Sequence, residues 1–126
     1  MTYFCPQCFA QIAKETIDCP VCGTHIPSWE QQTLDYMDRL IHALNHPVAE
    51  VRMGAIISLG NRNDSRAALP LARCALGHPT DVVEGLQIVD SLCQLTESVE
   101  RTQALQMLAS SHPGHVVRKA AKKGLT

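Results

Sequence analysis

A His-Pro step returns three times beyond residue 45, at His46-Pro47, His78-Pro79 and His112-Pro113, at intervals of 32 and 34 residues. A Val stands four residues after each Pro (Val51, Val83, Val117), and a charged residue follows it (Arg52, Glu84, Arg118). A compound signal with a near-constant period of this size marks a stacked array, each repeat being one supersecondary unit. Apolar residues make up 45% of the chain and aromatics only 4%, with Ala, Leu and Val prominent. That balance suits thin helix-on-helix layers better than a sheet protein.

The register predicts three helix pairs, over about 29–60, 65–95 and 98–125. In the first helix, about 29–45, Leu34, Met37, Leu40, Ile41 and Leu44 fall at the 3-and-4 spacings of one buried face. Ser28 and Gln31 read as a capping box that starts this helix at Trp29. Each His reads as an N-cap and each Pro as the first residue of a second helix, at about 47–60, 79–95 and 113–124. The first helices of the second and third pairs fall at about 66–77 and 99–111. Stacking would set His46, His78 and His112 along one edge roughly 10 Å apart, too far for one ion, so they read as turn residues. Cys74 and Cys93 read as buried, inert thiols, with no local partners for a second metal.

The other four cysteines stand as two CxxC pairs, Cys5–Cys8 and Cys19–Cys22, separated by ten residues. Each CxxC turn presents two thiolates to one ion, and two turns complete a tetrahedral site suited to zinc. Pro6 and Pro20 fix φ inside the turns, and Gly23 supplies a left-handed residue after the second. Iron, a redox CxxC and disulfides are the alternatives; a rubredoxin-like iron site needs a longer, aromatic-lined shell. Four thiolates leave no open position, so one structural Zn²⁺ is expected, held by Cys5, Cys8, Cys19 and Cys22, with His25 beside it on the surface. A segment this short needs the ion for much of its stability. A small hairpin is expected, Phe9–Ala13 with Thr16–Asp18, and Trp29 is expected to pack at the joint with the helices, the ribbon covering the open end of the array.

Residues 1–27 resemble the zinc-ribbon family, in particular the small CPxC…CPxCG ribbons of bacterial and archaeal chain termini, with Phe9 where the first knuckle usually has Gly. Residues 28–126 resemble HEAT repeats of the short type named after phycobilisome lyases. Val51, Arg52, Ala55, Leu59 and Gly60 carry its second-helix signature, and Asp64, Arg66, Ala67, Pro70 and Leu71 its first-helix signature. The second repeat departs, with Glu84 for Arg and no Gly after Leu92, and all three repeats have His where the family usually has Asp before Pro. The resemblance implies a mainly α fold: an α-α superhelix of about three HEAT-like helix pairs, stacked right-handed, behind a small N-terminal β zinc ribbon. It also implies a scaffold. Pigment lyases occur in the family, but no catalytic constellation here matches one.

Composition narrows the function further. The formal net charge is −1, unlike a nucleic-acid protein that is basic throughout. No apolar run reaches the length of a membrane span and no export signal is visible, so the chain is expected to be cytoplasmic, where thiols stay reduced. No catalytic triad, carboxylate pair, phosphate loop or open metal site can be placed, so an enzyme is not expected. The second helices should line a groove. Met53, Ile56, Ile57 and Ile88 would give it an apolar floor, and Lys119, Lys122 and Lys123 a basic end; the other reading of the apolar positions is that some of them are core. The expected role is a protein-binding adaptor or accessory subunit; the alternative is nucleic-acid binding through the ribbon and the Lys-rich last helix. Self-association through the exposed end of the array is a third reading.

Overall fold

The computed structural model describes residues 3–31 and 36–125. The chain divides into two compact units, Met1–Asp35 and Tyr36–Thr126.

In the first unit, β1 (Tyr3–Phe4) pairs antiparallel with β2 (Gln11–Ile12), Tyr3 opposite Ile12. A single bridge joins Asp18 to His25. The expected hairpin of Phe9–Ala13 with Thr16–Asp18 is therefore corrected: each CxxC turn is itself the loop of a small hairpin, so the segment between the knuckles pairs outward, Gln11–Ile12 with Tyr3–Phe4 and Asp18 with His25, and not with itself. α1 (Ile26–Gln31) begins three residues before the predicted start. The Trp29 N–H already donates to the His25 carbonyl at 3.1 Å, so Ser28 lies inside the helix and is not its cap. Trp29 Nε1 donates to Gln7 Oε1 at 2.8 Å and ties α1 to the first knuckle. Leu34 lies outside the described residues.

The second unit holds α2 (Tyr36–Ala43), α3 (Ala49–Arg62), α4 (Ala68–Gly77), α5 (Val82–Gln94), α6 (Val99–Ser111) and α7 (His115–Gly124), with a 3₁₀ turn over Ser65–Ala67 leading into α4. The pairs are α2 with α3, α4 with α5 and α6 with α7; α3, α5 and α7 pack side by side in that order, and α4 packs against α6. Leu59, Leu71, Ile88, Leu92, Leu105, Leu108 and Val117 are completely buried between them.

The His-Pro steps set the register but not the helix starts. The helices after them begin two or three residues late, with Val48, Asp81 and Gly114 at the N-cap position, of which Asp81 caps through its side chain. His78 and His112 instead end the preceding helices as C-caps. The His46 ring accepts the Val48 N–H at 3.0 Å and the His112 ring accepts the Gly114 N–H at 2.9 Å, each holding the turn closed. The Arg of the first and third repeats folds back on the same turn: Arg52 Nη1 donates to the carbonyls of His46 and Pro47, and Arg118 Nη1 to those of His112 and Pro113. His-Pro-x-x-x-Val-Arg is thus one self-bracing corner. At the far end of the pairs, Asn63 takes the left-handed conformation after α3 and bonds Thr96 after α5, clamping neighbouring repeats.

Two glycines set the helix separations. A Cβ on Gly60 of α3 would lie 2.8 Å from Ser91 Oγ, and one on Gly85 of α5 would lie 2.8 Å from Val117. Both admit a neighbour's side chain against bare backbone.

Candidate functional site

The two CxxC turns adopt one backbone form. The Phe9 N–H reaches back to the Cys5 carbonyl at 2.8 Å, and the Gly23 N–H to the Cys19 carbonyl at 2.9 Å. Cys5 N donates to Ala10 O and Cys19 N to Thr24 O, both at 2.9 Å. The residue after each second Cys must be left-handed, and φ is +61° at Phe9 and +78° at Gly23. Phe9 therefore does the work of the usual glycine, at a cost of roughly 1–2 kcal/mol for its Cβ.

The turns bring four sulfurs together. Cys5 Sγ lies 3.6 Å from Cys22 Sγ, Cys8 Sγ lies 3.7 Å from Cys19 Sγ, and all four fall within 4.8 Å of one another. A tetrahedron with metal–sulfur bonds of about 2.3 Å has edges of about 3.8 Å, so the set fits one tetrahedral ion. The surroundings favour thiolate at part of the site. The Thr24 hydroxyl, 3.1 Å from Cys22 Sγ, and the Thr24 N–H pull Cys22 down to about 6. The N–H groups of Cys22 and Val21 lower Cys19. At Cys8 the Ala10 N–H favours the thiolate, but lost hydration and the neighbouring thiols outweigh it and push Cys8 up to about 12. Sulfurs this close cannot all ionise without a cation among them. His25 stands outside the set, its Nδ1 paired with Asp18 Oδ1 at 3.0 Å.

The expected binding surface is partly rearranged. Ile56 and Ile88 are fully buried, because each sits between successive second helices; they are core, not groove floor. Met53 is half-buried, Ile57 is 43% exposed, and Lys119, Lys122 and Lys123 are exposed on α7. Cys93 is also exposed, against the expectation of burial.

One cluster went unseen in the sequence. Glu84 is buried at the start of α5, and the repeat-equivalent Arg52 of α3 lies across from it: Nε is 3.2 Å from both carboxylate oxygens and Nη2 is 3.1 Å from Oε2. The Cys74 thiol donates to Glu84 Oε1 at 3.2 Å, and His78 Nδ1 lies 3.2 Å from the same oxygen. Burial, then the hydrogen bond to Glu84, push the Cys74 thiol up to about 12. Two signals pointed here: Glu where the other repeats have Arg, and a Cys and a His four residues apart on one helix.

Residues 37–126 match the HEAT repeats family, and the chain belongs to it. HEAT repeats generally mediate protein–protein interaction, on surfaces built by stacking. No curated protein and no solved structure matches the chain. Among the described residues, no helix is long and apolar enough to cross a membrane.

Proposed function

We propose that this chain is a non-catalytic adaptor or accessory subunit, with residues 28–126 as a protein-binding HEAT array of the phycobilisome-lyase type and residues 1–27 as a zinc ribbon. The observation that carries this reading is the family match over the helical stack, in which α3, α5 and α7 form one continuous layer. A layer of this kind offers a partner an extended rigid surface. We place the contact on its exposed positions, Ile57 with half-buried Met53 toward one end and Lys119, Lys122 and Lys123 toward the other. Such a surface suits an amphipathic or acidic segment of another protein.

Zinc is the ion we assign to Cys5, Cys8, Cys19 and Cys22, because four thiolates at tetrahedral spacing select a borderline-soft ion without geometric preferences of its own. Its role is structural, since no coordination position stays open. A site built of four thiolates suits a reducing compartment such as the cytoplasm.

The test is affinity capture from the native cell with wild type, Ile57→Glu, and the triple variant Lys119→Glu/Lys122→Glu/Lys123→Glu. Loss of the same partner in the variants supports the reading; identical captures by all three proteins contradict it. Nucleic-acid binding is the alternative that the lysines of α7 keep in view. Binding of generic duplex DNA that weakens steeply with salt, and that the triple variant abolishes, would replace the adaptor reading with that one.

A further inference from the structure

We propose that Cys74, His78 and Glu84 form a second metal site, for one divalent ion of borderline softness such as zinc, with an open coordination position on the cleft between the first two repeats. The three donor atoms lie within 4.8 Å of one another. Their separations are 3.2 Å from sulfur to carboxylate, 3.2 Å from imidazole to carboxylate and 3.9 Å from sulfur to imidazole. Ideal tetrahedral angles at ordinary zinc bond lengths ask for about 3.6, 3.4 and 3.6 Å. Shifts of a few tenths of an ångström therefore seat an ion.

The sequence supplies this set only once. At the equivalent positions the first repeat has His42, His46 and Arg52, and the third has Leu108, His112 and Arg118. The second repeat keeps the His and changes both other positions, one to a thiol and one to a carboxylate. A turn brace or a plain core position needs neither change.

The supporting shell is already in place. Cys74 lies in the last turn of α4 and His78, its C-cap, follows four residues on, which brings the two side chains to the same side. Asp81 accepts the Glu84 N–H at 3.0 Å and fixes the return of the chain. Arg52 holds the carboxylate through Nη2 on Oε2 and Nε shared between both oxygens, and Oε1 also faces the thiol and the imidazole. A partner that orients a ligating carboxylate in this way is the usual second layer of a metal site. It also offsets charge: thiolate, carboxylate and guanidinium sum to −1, against +2 on the ion.

Binding is a proton exchange. The ion takes the place of the Cys74 thiol proton, which leaves to solvent. The His78 Nδ1–H, now directed at the Cys74 carbonyl 2.9 Å away, gives way to a lone pair as the ring proton moves to Nε2. Three protein ligands leave one position of a tetrahedron for water. Cys74 and His78 both line a cleft of about 420 Å³ whose walls include Leu44, Asn45, Arg73 and Gly77, so that position meets solvent.

The test is anaerobic titration of metal-free, reduced protein with Co²⁺, reading bound metal and the thiolate-to-cobalt absorption. Wild type is expected to take one ion more than His78→Ala and one more than Cys74→Ser, while Cys93→Ser matches wild type. The full chain with Cys5, Cys8, Cys19 and Cys22 all changed to Ser is expected to keep one Co²⁺, with the absorption of a single thiolate. Unfolding curves establish that each variant is folded. Equal stoichiometry in wild type, His78→Ala and Cys74→Ser overturns the proposal, as does failure of the ribbon-less variant to bind. One Co²⁺ bound by wild type and by the ribbon-less variant alike would overturn the zinc-ribbon assignment and leave this one standing.

Discussion

Glu84→Gln is the substitution with the most legible consequence. The side chains of Arg52 and Glu84 are 8% and 1% exposed, so their charges face each other out of water. Gln keeps the shape and an acceptor oxygen, and Arg52 keeps its bonds to the carbonyls of His46 and Pro47. What is lost is the carboxylate charge that faces a buried guanidinium. Removing one partner of a buried pair costs about 3–5 kcal/mol. An array of this size holds about 5–13 kcal/mol in all, at roughly 0.05–0.15 kcal/mol per residue, so about a quarter or more of its stability is at stake. Urea unfolding followed by circular dichroism should show the midpoint fall by about 1.5–2.5 M at a slope of about 2 kcal/mol per M. Arg52→Met/Glu84→Leu should lose less than the two single replacements together, with a coupling of about 2 kcal/mol or more. A loss under about 1 kcal/mol in Glu84→Gln, the value of an exposed pair, would refute the view that this pair joins the first two repeats.

Three further expectations follow from the same packing. Gly60→Ala drives a methyl group into Ser91, whose Cα lies 3.0 Å from the new Cβ, and should cost about 1–3 kcal/mol by thermal unfolding despite the better helix propensity of Ala. Burial lowers the basicity of His112 and His46, with Arg118 adding to it at His112 and Arg52 at His46. Below about pH 6.5 the unfolded chain therefore binds protons that the folded one refuses, and stability should fall from pH 7.5 to 5.5. His112→Asn, which keeps an acceptor for the Gly114 N–H, should flatten part of that slope in urea midpoints. Cys5→Ser should lower the affinity of the ribbon for zinc, measured by competition with a chelating dye, while the helical signal at 222 nm stays close to wild type.

The period of the array was legible in the sequence because its corners are local: in the first and third repeats His, Pro and Arg brace one another across six residues. The helix starts were not legible, since the His ring caps the turn at Val48 and leaves the helix to begin after it. Ile56 and Ile88 could be read either as groove floor or as core, because the phase of a single helix does not say how many neighbours it meets. In a stack, each second helix meets the next repeat as well, and its buried arc widens. The four-cysteine site was legible because its geometry is local to two short turns. Arg52 and Glu84 were visible as a departure at equivalent positions, but their pairing depends on α3 and α5 lying side by side, which no single repeat states.

Residue-resolved hydrogen exchange, with metal bound and after chelation, tests most directly whether an ion folds the ribbon while burial alone folds the array. The account predicts that chelation strips protection from the amides of Cys5, Phe9, Cys19 and Gly23, which close the knuckles, and leaves the amides around Leu59, Leu71, Leu92 and Leu105 as slow as before. Knuckle amides that stay protected without metal, or core amides of the array that lose protection with them, would contradict it.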